Sequence, residues 1–132
     1  MLAFVLSIII ISCNPDDNGN PQPTPDPRDK FVASWNCAET STQNGPSSFT
    51  VTISLNPSQS SQIHLANFYQ LGSSQKVYGT VAGNNVNIPD QSISSVSVRG
   101  SGTMESSNVK INWNYYVDDG ADIDTCTAVF TK

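Results

Sequence analysis

From Phe31 onward, apolar residues recur at every second position, and this period narrows the folds open to the chain more than any other feature. Phe49, Val51, Ile53 and Leu55 alternate with Ser48, Thr50, Thr52 and Ser54. Val109, Ile111, Trp113, Tyr115 and Val117 alternate with Lys110, Asn112, Asn114 and Tyr116. Successive side chains of a strand point to opposite faces, so each run predicts one apolar face and one polar face. Val96 and Val98 continue in step through Gly100 and Gly102 to Met104. Glycines on the inward row predict a strand bent sharply, as a barrel corner requires. Shorter segments are Ile63–Leu65, Lys76–Ala82 and Val86–Ile88. Turn chemistry separates them at Asn56-Pro57, Leu71-Gly72-Ser73, Gly83-Asn84-Asn85, Pro89-Asp90, Ser106-Ser107-Asn108 and Asp119-Gly120. No stretch holds a 3.6-residue period, and Asn56 to Gln62 is at most one turn of helix.

The two ends of this series match. Phe31, Ala33, Trp35 and Cys37 share one face of the first segment, and Cys126, Ala128 and Phe130 share one face of the last. Placing those segments side by side closes the row into a ring. The predicted fold is all-β: a single small antiparallel up-and-down barrel of about eight strands. A sandwich is the other all-β solution. The immunoglobulin-type sandwich sets its Trp between two cysteines and a Tyr two residues before the second. Here Trp35 precedes Cys37, and Asp124 stands at the tyrosine position.

Composition excludes some functions. The net charge is −5 and charged residues are 13% of the chain, with no run of Lys or Arg. Nucleic acid is bound through basic patches that displace counterions, so no nucleic-acid partner is expected. The 132 residues suffice for one domain.

The N-terminus reads as an address. Met1 to Ile11 is apolar except for Ser7. A membrane-spanning helix needs about 20 apolar residues, so this run suits a secretory signal core instead. Ile10-Ile11-Ser12-Cys13 resembles a bacterial lipobox. That resemblance implies cleavage after Ser12 and a lipid on the Cys13 thiol. The expected division is a signal peptide over 1–12, a lipidated tether over 13–30 and a barrel domain over 31–132. Asn14 to Asp29 carries five prolines and no large apolar residue, as an extended leash does. Asp16-Asp17 resembles the surface-export signal of Bacteroidota-type lipoproteins, which implies a lipid-anchored protein of the outer membrane or cell surface.

Ala33-Ser34-Trp35 resembles the Gly-x-Trp of lipocalins, although neither Arg28 nor Arg99 lies on the last strand, where that family keeps an arginine over its Trp. The chain more broadly resembles the small lipocalin-like (calycin-like) lipoproteins of Bacteroidota-type bacteria. The likeness rests on the lipobox, the proline tether, Trp35-Asn36-Cys37, Asn67-Phe68-Tyr69 and Asp124-Thr125-Cys126-Thr127-Ala128. It implies a lipocalin-like barrel in the cell envelope and no catalytic motif. With Cys13 assigned to lipid by resemblance, Cys37 and Cys126 remain. Export to an oxidising compartment then predicts a disulfide between first and last strands. Such a bridge would stabilise by roughly 4–5 kcal/mol in the chain-entropy model. Two separate buried thiols are the other reading.

Few residues could carry chemistry. Ser73-Ser74-Gln75-Lys76 fits Ser-x-x-Lys, but that acylation motif needs a helix and partner motifs that the chain lacks. His64 is the only histidine, which rules out multi-histidine zinc sites and His-based triads. With Ile63 and Leu65 inward, it points to water. Asp118, Asp119, Asp122 and Asp124 form a candidate site for a hard cation such as Ca2+, though their spacing departs from the EF-hand loop and a hairpin turn accounts for Asp-Asp-Gly. No metal or other cofactor is therefore expected. Trp35, Phe49, Phe68, Trp113, Tyr115 and Phe130 would line either a ligand pocket or a filled core, and their bulk favours the core. The expected function is that of a monomeric, non-catalytic envelope lipoprotein. It would act as a binding or structural module, with a small hydrophobic ligand as candidate cargo. The alternative is an inhibitor or adhesion module working through polar strand faces and loops.

Overall fold

The computed structural model describes Gly19 and residues 21–132. The signal segment, Cys13 and Asp16-Asp17 lie outside the described residues. A 310 turn, Asp29–Phe31, leads into eight strands: β1 (Ala33–Ser41), β2 (Gly45–Leu55), β3 (Gln62–Ala66), β4 (Lys76–Ala82), β5 (Asn85–Ile93), β6 (Val96–Met104), β7 (Lys110–Asp118) and β8 (Ile123–Thr131). A second 310 turn, Phe68–Gln70, follows β3. Each strand pairs antiparallel with the next, and β8 pairs with β1, giving a closed up-and-down barrel. The period-two rows largely face as expected: Val51 and Ile53 on β2, and Ile111, Trp113, Tyr115 and Val117 on β7, are buried while Thr50, Thr52, Asn112, Asn114 and Tyr116 are exposed. Val109, expected on the inward row, instead precedes β7 and is 51% exposed.

Pro89 does not end a strand. β5 runs through it with a register shift between Ile88 and Gln91. Proline cannot donate to a ladder, so a bulge is where a strand tolerates it. The Gln91 side chain makes good the missing bonds, accepting from the Tyr78 N–H at 2.9 Å and donating to the Tyr78 carbonyl at 2.8 Å.

The predicted disulfide is absent. Cys37 and Cys126 are both free and both buried. Closure staggers β8 against β1 so that Cys37 lies opposite Phe130, and Cys126 opposite Ser41. Four residues along a strand is roughly 13 Å, beyond the Cα separation of about 7 Å that a disulfide can bridge. The ring is closed instead by backbone pairing of Asn36–Ser41 with Cys126–Thr131. Burial pushes both thiols up to about 12, so they stay protonated. Alkylation after unfolding without reductant should label both the Cys37 and the Cys126 peptides. Protection of either would show that the two thiols are bridged.

One end of the barrel is sealed by the chain ahead of β1. Arg28, 7% exposed, donates from Nη1 to the carbonyls of Asn56, Gln59 and Gln62 at 2.9–3.3 Å and pairs with Asp26 at 2.6 Å. Arginine's planar fork suits such a converging set of oxygens. Trp35 Nε1 donates to the Phe31 carbonyl at 2.8 Å, and Lys132 Nζ lies 4.7 Å from the Trp35 ring centroid. Lys132 thus covers the face of the tryptophan by a cation–π contact.

Candidate functional site

The opposite end carries the polar chemistry. After β3 the chain turns inward through Asn67, Phe68, Tyr69 and Gln70, with φ of 64° at Asn67, 52° at Tyr69 and 57° at Gln70. Left-handed backbone at non-glycine residues costs of order 1–3 kcal/mol each, so surrounding contacts must hold it. Asn67 supplies two of them, donating from Nδ2 to the Thr50 carbonyl at 2.9 Å and accepting from the Gly72 N–H at 3.0 Å. Phe68 supplies others. Its ring is buried in the mouth, with centroids 4.5 Å from Tyr115, 5.8 Å from Trp113 and 6.4 Å from Phe130. Aromatic pairs at these tilted and edge-on angles are favourable beyond the area they bury. The segment is a plug.

Tyr69 ties the plug to the wall. Its hydroxyl donates to Asp124 Oδ2 at 2.7 Å. Asp124 faces inward on β8, is 2% exposed, and also accepts from Ser41 Oγ, Thr42 Oγ1, the Gln43 N–H and Asn44 Nδ2. Burial alone would raise this carboxyl, but hydrogen bonds from Ser41, Tyr69, Thr42 and Gln43 outweigh it and hold the group at about 2. A charge so well bonded stabilises the fold above its ordinary value of 3.8 and loses that contribution as pH falls through about 2. Asp124→Asn should therefore cost about 2 kcal/mol at neutral pH, read as a lower urea midpoint. Equal midpoints would remove the clasp from this account.

Beside that satisfied acid lies an unsatisfied one. Trp35, Cys37, Glu39 and Ser41 form the inward row of β1, so Glu39 points into the barrel at 4% exposure. Burial first, and then the charge on Asp124, push its carboxyl up to about 7, while a hydrogen bond from Ser47 pulls the other way. Among the described residues, Glu39 Oε2 and Trp113 Nε1 are buried without a hydrogen-bond partner. Glu39 lies opposite Ala128, and Ala128 opposite Trp113, so the two orphan groups flank one small residue across three strands. Buried polar atoms are nearly always paired, and the exceptions call for explanation.

The other candidate residues are scattered. Trp35, Phe68, Trp113, Tyr115 and Phe130 meet in the interior at 1% exposure or less, while Phe49 is half-buried at its margin. The four aspartates do not converge. Asp118 accepts from the Gly120 N–H, Asp119 from the N–H groups of Ala121 and Asp122, and Asp124 turns inward. Among the described residues no group of three or more His, Cys, Asp or Glu is placed to hold a metal. Strand alternation is the reason, since it buries one carboxylate and commits others to the turn. His64 faces outward between Ser54 and Tyr78, and burial lowers its value. Ser73 lies in the β3–β4 loop and Lys76 opens β4, with no helix beneath them.

Glu39, Ser41 and Tyr69 were not anticipated. The parity that turns Trp35 and Cys37 inward extends to Glu39 and Ser41, so those two were legible. The reach of Tyr69 to Asp124 was not. On the outer wall, a depression of about 690 Å3 runs across β2, β1, β8 and β7, lined in part by Ala38, Thr40, Pro46, Ser48, Asn114 and Thr127.

No family model and no curated protein matches the chain. Similar solved structures include a redesigned β-barrel, 14% identical, with a TM-score of 0.58 over 81% of this chain and 95% of that one. Another is EF1p2_mFAP2b bound to DFHBI, 15% identical, with a TM-score of 0.55 over 81% of this chain and 97% of the other. At such identities the likeness is one of fold alone: a small closed β-barrel.

Proposed function

We propose that the protein is a lipocalin-like envelope lipoprotein, anchored by lipid at Cys13, that works as a non-catalytic module of surface recognition. Its partner meets the polar outer wall and the loops, in the manner of an inhibitor or adhesion module. The observation that carries this reading is the occupied interior. Trp35, Phe68, Trp113, Tyr115 and Phe130 fill the space a carried molecule would need. An eight-stranded barrel is wide enough for its own side chains or for one small molecule, not both. In the broad depression across β2, β1, β8 and β7 the exposed side chains, Ala38, Thr40, Ser48, Asn112, Asn114 and Thr127, are uncharged, while Glu39 and Trp113 lie buried beneath them, which suits a peptide or carbohydrate surface better than an ion.

Two measurements at pH 6 test this reading. Titration with a fluorescent fatty-acid analogue should show no saturable binding, and stoichiometric uptake with quenching of Trp113 would restore ligand carriage. Metabolic labelling with palmitate should mark the wild-type chain and be lost in Cys13→Ala. Equal labelling of both would remove the anchor.

A further inference from the structure

We propose that Glu39 is a proton-operated latch on the barrel mouth: with its carboxyl protonated the Phe68–Tyr69 plug stays seated, and when the proton leaves to solvent the plug lifts. The device is built from three facts of geometry. Glu39 lies inside the wall with one oxygen unpartnered among the described residues. The plug hangs on Asp124 through the Tyr69 hydroxyl. Its backbone is strained at Asn67, Tyr69 and Gln70, so release relieves a cost that only the seated contacts offset.

The groups around Glu39 set the direction. Asp124 on β8 is the nearest permanent negative charge, while Cys37 on β1 and Cys126 on β8 are protonated thiols. Tyr69 in the plug stays a phenol because burial and Asp124 push its value up. Tyr115 on β7 stands opposite Cys126, and Ser47 on β2 offers a hydroxyl. None of these brings a positive charge to the site: Lys110 on β7 pairs with Glu105 at 3.8 Å, and Lys76 and Arg99 belong to β4 and β6. An ionised Glu39 therefore needs water. Water reaches it by the mouth, and Trp113 Nε1 then gains a partner as well. Lifting the plug also bares Trp113, Tyr115 and Phe130, an aromatic floor fit for a small planar apolar molecule. The surface reading concerns the closed barrel at pH 6, so either idea can fail without the other.

Hydrogen exchange of the full chain tests the latch. After correction for the intrinsic effect of pH, protection of the Gln70 and Leu71 amides, which donate to the Asn67 and Phe68 carbonyls, should fall at least about tenfold between pH 5.5 and 8.5, with β7 and β8 unchanged. Glu39→Gln should keep the plug protected at both values. Unchanged protection in the wild type, or the same fall in the variant, overturns the proposal. Should the variant not fold, the wild type suffices: the carbon NMR shift of the Glu39 carboxyl and the shifts of residues 67–71 should titrate with one midpoint. Separate midpoints overturn it equally.

Discussion

Glu39→Gln is expected to stabilise the protein by about 3 kcal/mol at pH 8 and to change it little at pH 4. The sign follows from the carboxyl's two values, 4.5 when exposed and about 7 in the folded chain. Between them the folded protein holds a proton that the unfolded chain has released, so stability falls as pH rises through that window. Below 4.5 both states are protonated and nothing is lost. Above about 7 both are ionised and the loss is complete. A gap of about 2.5 is worth about 3 kcal/mol, and the side chain at 4% exposure is little screened by solvent. Glutamine cannot ionise, so its variant should lack this fall and keep only the rise with pH that His64, lowered by burial, contributes to both proteins. Asp124 does not mask the effect, because its own contribution is lost only at lower pH, below 3.8. Urea midpoints from pH 4 to 8.5 decide the matter. Parallel profiles for wild type and variant would show that Glu39 does not titrate across this range.

Gly100→Ala is expected to cost about 3 kcal/mol, the upper end of the usual range for overpacking. An added Cβ would overlap Tyr115 Cβ and lie 2.5 Å from the Asn114 carbonyl oxygen and 2.6 Å from Tyr115 Cα. Two of those atoms are backbone of the paired strand β7, which cannot retreat without breaking the β6–β7 ladder. Gly79 is the control. Its added Cβ meets Val86 Cγ1 at 2.6 Å, a side-chain methyl that can rotate aside, so Gly79→Ala should cost only about 1 kcal/mol. Equal shifts of the denaturation midpoint in the two variants would sink the argument. Gly100 and Gly102 thus have a packing reason for their place on the inward row of β6. These glycines lie opposite Tyr115 and Trp113, and leave the space those large side chains fill.

What could be read from residues alone was the direction of side chains. The alternation along β2 and β7 marked the interior, and the same parity placed Trp35 and Cys37 inside. Carried two steps further it also buries Glu39 and Ser41, against the usual habit of a glutamate. Pro89 looked like a turn because a proline cannot join a ladder, and only the Gln91 side chain allows the strand to continue. The hairpin turn that accounts for Asp118-Asp119-Gly120 was legible from residue types, whereas the inward turn of Asp124 depended on neighbours in space.

Sequence by itself determined an all-β chain, the faces of its strands and the adjacency of its two ends. Tertiary structure alone decided the stagger with which β8 meets β1, and with it the separation of Cys37 from Cys126. It also brought Tyr69 from the β3–β4 connection onto Asp124. Alternation arises from the geometry of one strand, so it is written locally. Stagger belongs to the ring, and it takes a value only when all eight strands have tilted to close it.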